Sequence, residues 1–457
     1  MTIDNSYSSE RTTRRFIMGL LTFKKGIHPN DRKDLSMHKA IEDLLPKGNL
    51  VFPMQQHIGA PCDPLVKKGD RVLVGQKIGE STAFVSAPIY SSVSGTVLDV
   101  APKLHSNGTM VSSIIVENDN IYEEAHTMVP HKNYEKLSKS ELVAIIKEAG
   151  IVGMGGAGFP THIKLTPPEG KNIDSIIVNA AECEPYLTCD HRMMLEKSNE
   201  IAEGLKIILQ MFPGVKGYIG IEHNKPDAIE AMKKATENQH NVQVIPLKTK
   251  YPQGAEKQLI YAITGRELPS GKLPADVSCI VQNVDTVFEI YNAVVNGKPL
   301  TERVLTVTGE AIKTPLNLRV KFGTSINEVV EAAGGFKETP VKVISGGPLM
   351  GTTLSSLDTP VIKGTSGVLC LTKNQAKLEE ESSCIRCGKC MSVCPMFLNP
   401  TKLNSLVLRG EYESFETLHG MDCIECACCS YVCPAKRHLT QTCREGKRTI
   451  TINRRKK

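Results

Sequence analysis

Hydrophobic and polar positions in this chain follow different periods in different regions. From about 26 to 130, short β-branched runs at 66–74, 83–86, 95–100 and 112–117 are broken by Gly and Pro at close intervals. That pattern predicts a small all-β unit. Further on the period lengthens. Ser138-Lys139-Ser140-Glu141 spells a capping box, and Leu142, Val143, Ile145, Ile146 and Ala149 then form a helical stripe stopped by Gly150. A strand at 174–179, a helix at 199–211, a strand at 217–222, a helix at 226–237 and a strand at 241–247 follow, and this alternation predicts an α/β sheet domain. Residues 304–308 and 317–320 read as strands, 326–333 as a helix and 341–345 as a strand, compact enough for a β-grasp-like unit. Past 374 the pattern turns helical, as at 403–409, around clustered cysteines.

A chain of 457 residues is too long for one core, and 40% hydrophobic with 23% charged residues is ordinary for a globular protein. The expected partition is an N-terminal extension over 1–25, a barrel-sandwich β domain over 26–130, an α/β nucleotide-binding domain over 131–300, a β-grasp domain over 301–370, a two-cluster helical domain over 374–445 and a basic tail over 446–457. Residues 1–17 read as an extension ahead of a fresh start at Met18. The net charge of +6 gathers at the ends, in Arg11, Arg14 and Arg15 and in Lys447, Arg448, Arg454, Arg455, Lys456 and Lys457. Without interleaved aromatics it argues for a solvated tail over nucleic-acid binding. No run approaches the roughly 18 apolar residues of a membrane helix, so any membrane attachment is expected through a partner. The segment from Pro64 to Gly79, with Ala87-Pro88 and Ser94-Gly95-Thr96-Val97, resembles the barrel-sandwich of biotinyl and lipoyl carriers. The carriers' modified lysine is missing, since Ala87-Pro88-Ile89-Tyr90-Ser91-Ser92 fills its place, and a docking role is expected.

Eight of the fifteen cysteines carry the strongest chemical signal. Cys384-x-x-Cys387-x-x-Cys390-x-x-x-Cys394-Pro395 and Cys423-x-x-Cys426-x-x-Cys429-x-x-x-Cys433-Pro434 both reproduce the bacterial ferredoxin spacing for a 4Fe-4S cluster. In two-cluster ferredoxins the fourth cysteine of each run serves the other cluster. The interleaved assignment is therefore Cys384, Cys387, Cys390 and Cys433 to one cluster and Cys423, Cys426, Cys429 and Cys394 to the other, with sequential grouping as the alternative. Structural zinc also uses Cys-x-x-Cys pairs but does not require this run twice. A disulfide framework suits neither the end-loaded cysteines nor the N-terminal sequence. Cys428 reads as a small buried residue beside the second cluster.

Gly153-Met154-Gly155-Gly156-Ala157-Gly158 satisfies G-x-G-x-x-G, but it follows a helix and runs into Phe159-Pro160, unlike the usual dinucleotide loop. Four segments nevertheless occur in the order found in the NADH-oxidising subunit of respiratory complex I. The span from Gly153 to Lys164 resembles its flavin loop, and Asn179-Ala180-Ala181-Glu182-Cys183-Glu184-Pro185 its acidic turn. Gly254-Ala255-Glu256-Lys257 resembles its Gly-Glu-Glu step, and Gln282-Asn283-Val284-Asp285-Thr286 its Asn-Asn-Val-Glu-Thr segment. With a barrel-sandwich ahead and two ferredoxin runs behind, the whole chain resembles the C subunits of the Rnf complexes, the ion-translocating ferredoxin:NAD oxidoreductases.

The resemblance implies FMN against Gly153, Gly155, Gly156 and Gly158, with Lys164 near the phosphate and Asn179 and Glu182 near the polar edge. It implies Glu184 as the catalytic residue facing nicotinamide, Glu256 in the nucleotide site, and Asn283 and Thr286 completing the pocket. Ala181 and Ala255 stand where the complex I family has acids, which predicts a looser nucleotide site. Taken singly, each of these carboxylates reads as a solvated loop residue. The implied function is a peripheral subunit on the cytoplasmic face of the cell membrane, passing electrons between two 4Fe-4S clusters, FMN and NAD(H). Integral membrane subunits and a ferredoxin-like subunit are the implied partners, ferredoxin is reached indirectly, and other subunits export Na or protons. The alternatives are a soluble flavin and iron-sulfur reductase similar to the cobalamin reductases, and a non-catalytic relay scaffold.

Overall fold

The structure, a computed structural model, describes residues 19–377 and 379–456. Of the extension expected over residues 1–25, residues 1–18 lie outside them; residues 19–25 do not extend freely, since Leu21 bridges to Leu247 and Phe23 is buried. Strands β1 (Ile41–Leu44), β2 (Leu50–Pro53), β3 (Asp63–Pro64), β4 (Arg71–Val72), β5 (Lys77–Glu80), β6 (Ile89–Tyr90), β7 (Gly95–Leu104) and β8 (Met110–Asn118) come first. β2-β8-β7-β4 and β3-β5-β6 form two antiparallel sheets. Two expected strands are corrected. Within 66–74 only Arg71–Val72 pairs in a sheet. Residues 83–86 form no strand, because their backbone and side chains serve the neighbouring loop instead: Ala60 N–H donates to the Val85 carbonyl, and Ser86 Oγ lies 2.9 Å from His57 Nε2.

β1 departs from its chain neighbours and pairs in parallel with β14 (Leu316–Lys321), Ile41 opposite Asn317. It becomes one edge of a six-stranded sheet ordered β1-β14-β13-β17-β15-β16, where β13 is Glu302–Thr308, β15 Lys342–Ser345, β16 Thr352–Thr353 and β17 Gly367–Leu371. The two β regions share one core, in which Leu50, Phe52 and Ile114 pack with Leu305, Val307 and Phe322.

Between them in sequence lies a parallel sheet of β9 (Ser175–Ala180), β10 (Lys216–Glu222), β11 (Val242–Leu247) and β12 (Cys279–Asn283), ordered β11-β10-β9-β12. Its strands are apolar on both faces because helices cover both. Ile176 and Val178 of β9 face the core of helices Ser198–Gln210 and Val284–Asn296, and Ile177 faces helix Glu256–Thr264. The expected capping box is present, with Ser138 and Glu141 each bonded to the other's backbone N–H. The chain crosses from β9 to β10 and β11 on one side, then returns to set β12 on the other side of β9. That reversal opens a crevice beyond the carboxyl ends of β9 and β12, where ligands bind in sheets of this kind.

The last segment packs helices Pro400–Leu408, Tyr412–Thr417 and Leu439–Lys456 around Leu403, Leu406, Phe415, Cys443 and Ile450. The basic tail expected from residue 446 continues the last helix, and Arg448, Arg454 and Arg455 on it are exposed, as the solvated reading expects. Leu439, Cys443, Gly446 and Ile450 recur on one face, a stripe hidden in sequence by the basic residues between them. At Gly446 a Cβ would meet Val407 Cγ2 at 2.6 Å, so this contact requires glycine.

Candidate active site and metal centres

The glycine loop closes at its base, with Val152 bridged to Pro160 and Gly153 N–H donating to the Phe159 carbonyl. It lies against the β12 side of the crevice. Asn283 caps helix Val284–Asn296 by accepting from the N–H groups of Asp285 and Thr286, and its Nδ2 donates to Asp190 Oδ2 at 2.9 Å. Thr286 Oγ1 accepts from Met154 N–H at 3.0 Å and donates to the Val152 carbonyl. Asn283 and Thr286 thus hold the loop, and a Cβ on Gly155 would strike Asn283 Nδ2 at 2.5 Å. Gly155, Gly156 and Ala157 are exposed, and a Cβ on Gly156 would meet nothing within 4 Å. Gly158 has φ +71° and supports the N-terminal domain, its carbonyl accepting from Ile58 N–H at 3.2 Å. Bare backbone turned toward open space at a sheet reversal fits a flat, anionic ligand such as FMN.

Lys164 is not free. Its Nζ donates to Glu256 Oε1 at 3.0 Å and to the Val281 carbonyl, so these two expected residues form a pair. Asn179, at the end of β9, donates to the Gly254 carbonyl at 2.8 Å and ties the acidic turn to the Gly254-Ala255-Glu256 step.

The Glu182 side chain is buried and Glu184 is half-buried, and both are hydrogen-bonded to backbone N–H groups, which corrects their reading as solvated loop residues. Glu182, at φ +46°, accepts from the N–H groups of Asp190 and His191 at the start of helix Cys189–Glu196. Lys33 lies 3.8 Å away. Burial pushes the Glu182 carboxyl up to about 7 against the opposing pull of Lys33. Glu184 reaches the other way, into the loop after β15, where Leu349 and Met350 donate their N–H groups to it at 3.1 and 2.9 Å. Tyr251 Oη adds a third bond at 3.3 Å. Burial raises its pKa to about 7 as well, with the two backbone donors pulling it down.

Several groups at this site carried no sequence signal. Asp190 brings a carboxylate to Asn283 from the next helix. Lys225, fully buried, donates to the Ala181 carbonyl at 2.7 Å. Lys33 donates to the Glu184 carbonyl at 3.0 Å from 151 residues away. None belongs to a local motif, so only the fold brings them in.

The cysteines fall into two groups. Cys394, Cys423, Cys426 and Cys429 line one cavity together with Cys428, Cys443, Ile424 and Leu403. Burial raises the Cys390 pKa, with a smaller contribution in the same direction from the neighbouring Cys433, and Cys384 Sγ is 3.4 Å from Thr401 Oγ1. Two helices fill the gap between Cys394 and Cys423. Thiols gathered from both runs fit soft iron-sulfur ligation. The cavity abuts the nucleotide domain, since Cys426 and Cys428 pack with Tyr251, Cys183 and Leu349. Tyr251 therefore touches Glu184 on one side and the thiol group on the other.

Three family profiles match in chain order: the RnfC barrel sandwich hybrid domain over residues 21–121, the Nuo51 FMN-binding domain over 146–292 and the SLBB domain over 304–353. The C subunit of the proton-translocating ferredoxin:NAD(+) oxidoreductase complex of Clostridium ljungdahlii is 51% identical over 424 residues, 92% of each chain. The C subunit of the Na(+)-translocating ferredoxin:NAD(+) oxidoreductase complex of Acetobacterium woodii is 47% identical, over 95% of this chain and 98% of its own. The C subunit of the ion-translocating oxidoreductase complex of Rhodobacter capsulatus is 39% identical, over 86% and 76%. Identity at this level over nearly the whole chain means that the chain belongs to the RnfC family, the C subunits of ion-translocating ferredoxin:NAD(+) oxidoreductase complexes.

Proposed function

We propose that this chain is the NAD(H)-handling electron-transfer subunit of its complex. FMN lies against Gly153, Gly155, Gly156 and Gly158, one 4Fe-4S cluster is held by Cys384, Cys387, Cys390 and Cys433, and the other by Cys423, Cys426, Cys429 and Cys394. FMN held there would supply the conversion between the hydride of a nicotinamide and the single electrons of iron-sulfur clusters. The observation that carries the reading is the contact of the second thiol group with Tyr251 and Cys183, at the acidic turn beside the glycine loop. It brings a one-electron site beside a nucleotide site.

The chain's own residues prepare this chemistry by position. Thr286 and Asn283 preform the loop, and Lys164, paired with Glu256, offers a cation at the crevice. Glu184 is held by the loop at 346–350 and by Tyr251, and presents a fixed carboxyl on the nicotinamide side. Its anchoring supports a second reading, in which Glu184 latches the parallel-sheet domain to the six-stranded sheet.

Among the described residues no helix is long and apolar enough to cross a membrane. We place the subunit on the cytoplasmic face, held by integral membrane subunits and supplied with electrons by a ferredoxin-like subunit. The C. ljungdahlii and A. woodii relatives are named for different ions at similar identity. Ion choice accordingly belongs to other subunits.

The test is Gly156→Val in the full chain. A Cβ there meets no protein atom, so the fold and both clusters are expected to persist while FMN binding is lost. Undiminished flavin in that variant would place FMN elsewhere.

A further inference from the structure

Two buried cations take no part in the sites described so far. Arg303, 2% exposed on β13, donates from Nη1 to the Met154 carbonyl at 3.2 Å and to the Lys363 carbonyl. Asp285 stands 3.6 Å from its Nη2. Lys363, fully buried ahead of β17, donates to the Pro88 carbonyl at 2.6 Å and the Gly150 carbonyl at 2.7 Å. Among the described residues it has no carboxylate partner. Burying such a charge is costly, and it lowers the Lys363 pKa to about 7.

Both cations converge on one stretch of backbone. Gly150 ends helix Lys139–Glu148, and Met154 opens the exposed turn at Gly155, Gly156 and Ala157. Met154 also seats its side chain in the core shared by the two β regions, with Leu305 and Phe52. Thr286 holds the Met154 N–H from the nucleotide domain, while Arg303 holds its carbonyl from the six-stranded sheet. The Arg303 and Lys363 contacts, with the packing of Met154 on Leu305, tie the six-stranded-sheet segment to the glycine loop.

We propose that Arg303 and Lys363 are positioning residues for FMN: by clamping the carbonyls of Met154 and Gly150 from the neighbouring domain, they hold the glycine turn in its ligand-ready form. This rests on the assignment of FMN to that turn. A loop that is competent only part of the time binds with an affinity reduced by that fraction. Releasing the clamp therefore weakens FMN binding without removing any group that touches FMN.

The experiment uses the full chain with both clusters reconstituted. Wild type is titrated with FMN by fluorescence, which tests the underlying assignment, and flavin-free protein is followed by amide hydrogen exchange, which tests the clamp independently. Arg303→Met and Lys363→Met are expected to bind FMN roughly tenfold more weakly. The deficit is overcome by added FMN, exchange rises over residues 150–158, and cluster spectra are unchanged. Arg303→Lys, which keeps the charge but loses the guanidinium fork, recovers part of the affinity and serves where Arg303→Met fails to fold. Unchanged FMN affinity in folded variants would overturn the clamp, as would unchanged exchange over 150–158. Loss of clusters and of protection throughout the chain would equally overturn it, in favour of a general folding role. Wild type that binds no FMN while the variants still loosen 150–158 would sink the flavin assignment and leave the clamp standing.

Discussion

Two cysteine groups of identical spacing occupy unlike surroundings. In the first, Cys384 and Cys387 are exposed, and Ile385, Met391, Phe397 and Tyr431 show 68, 41, 60 and 55% of their surface nearby. In the second, Cys394, Cys426 and the additional Cys428 and Cys443 are buried, and the group packs on Tyr251. Spacing equips both for the same ligand chemistry, whereas packing gives them different neighbours. Part of the first group faces solvent, and the second faces the nucleotide domain.

The most drastic way to break the comparison is to remove one crossing thiol. Cys394→Ala is expected to abolish the cluster of the buried group and spare the exposed one, and Cys433→Ala to do the reverse. Iron analysis should show about half the metal lost in each case. Electron paramagnetic resonance that pairs Cys394→Ala with Cys384→Ala would break the interleaved grouping.

Next in size is the contrast between Tyr251 and Phe397. Tyr251 is 1% exposed at the seam of two domains, and Tyr251→Ala should cost about 3–5 kcal/mol in denaturant unfolding. Phe397 has mainly the Lys25 amine over its ring, and Phe397→Ala should cost under about 1 kcal/mol. Equal losses would mean that the two faces are equally buried in solution.

A pH experiment probes the other side of Tyr251. Burial raises the Glu184 carboxyl from 4.5 to about 7 in the folded chain, so folding favours its protonated form. The stability it contributes is complete below about 4.5 and is lost as pH rises through about 7, on the order of 3 kcal/mol in all. Glu184→Gln should flatten that part of the profile in thermal unfolding at pH 5 and pH 8. The same slope in the variant would assign the effect to another group. If Glu184 also serves nicotinamide, its substitution should slow NADH oxidation more than it alters FMN content.

The smallest expected effect concerns the extra thiols. Cys443 lines the same cavity as Cys423 and packs against it, placing a thiol S–H beside a ligand sulfur, and hydrogen bonds to ligand sulfur raise cluster potentials. Cys443→Ala should lower the midpoint of the buried cluster by roughly 20–40 mV, the one-electron equivalent of a weak bond, and leave the other unchanged. A shift in both would show that the two groups are not electrostatically separate.

What the sequence determined by itself is what local rules govern. The Ser138 to Glu141 box closes within one helical turn, the two cysteine runs place their thiols by spacing alone, and the alternation of apolar runs between 174 and 247 is enough for a parallel sheet with covered faces. The glycine loop and acidic turn were legible as motifs, but the contacts of their residues were not. Glu184 meets Leu349 across 165 residues and Arg303 meets Met154 across 149. β1 leaves its own region for the edge of a distant sheet, and the last helix is anchored where Gly446 meets Val407 and Phe415. Whether a carboxyl is solvated or buried, and whether a thiol group is open or enclosed, depends on which surfaces dock. Only the tertiary structure decided those points, because desolvation and long-range hydrogen bonding depend on neighbours that no local period encodes.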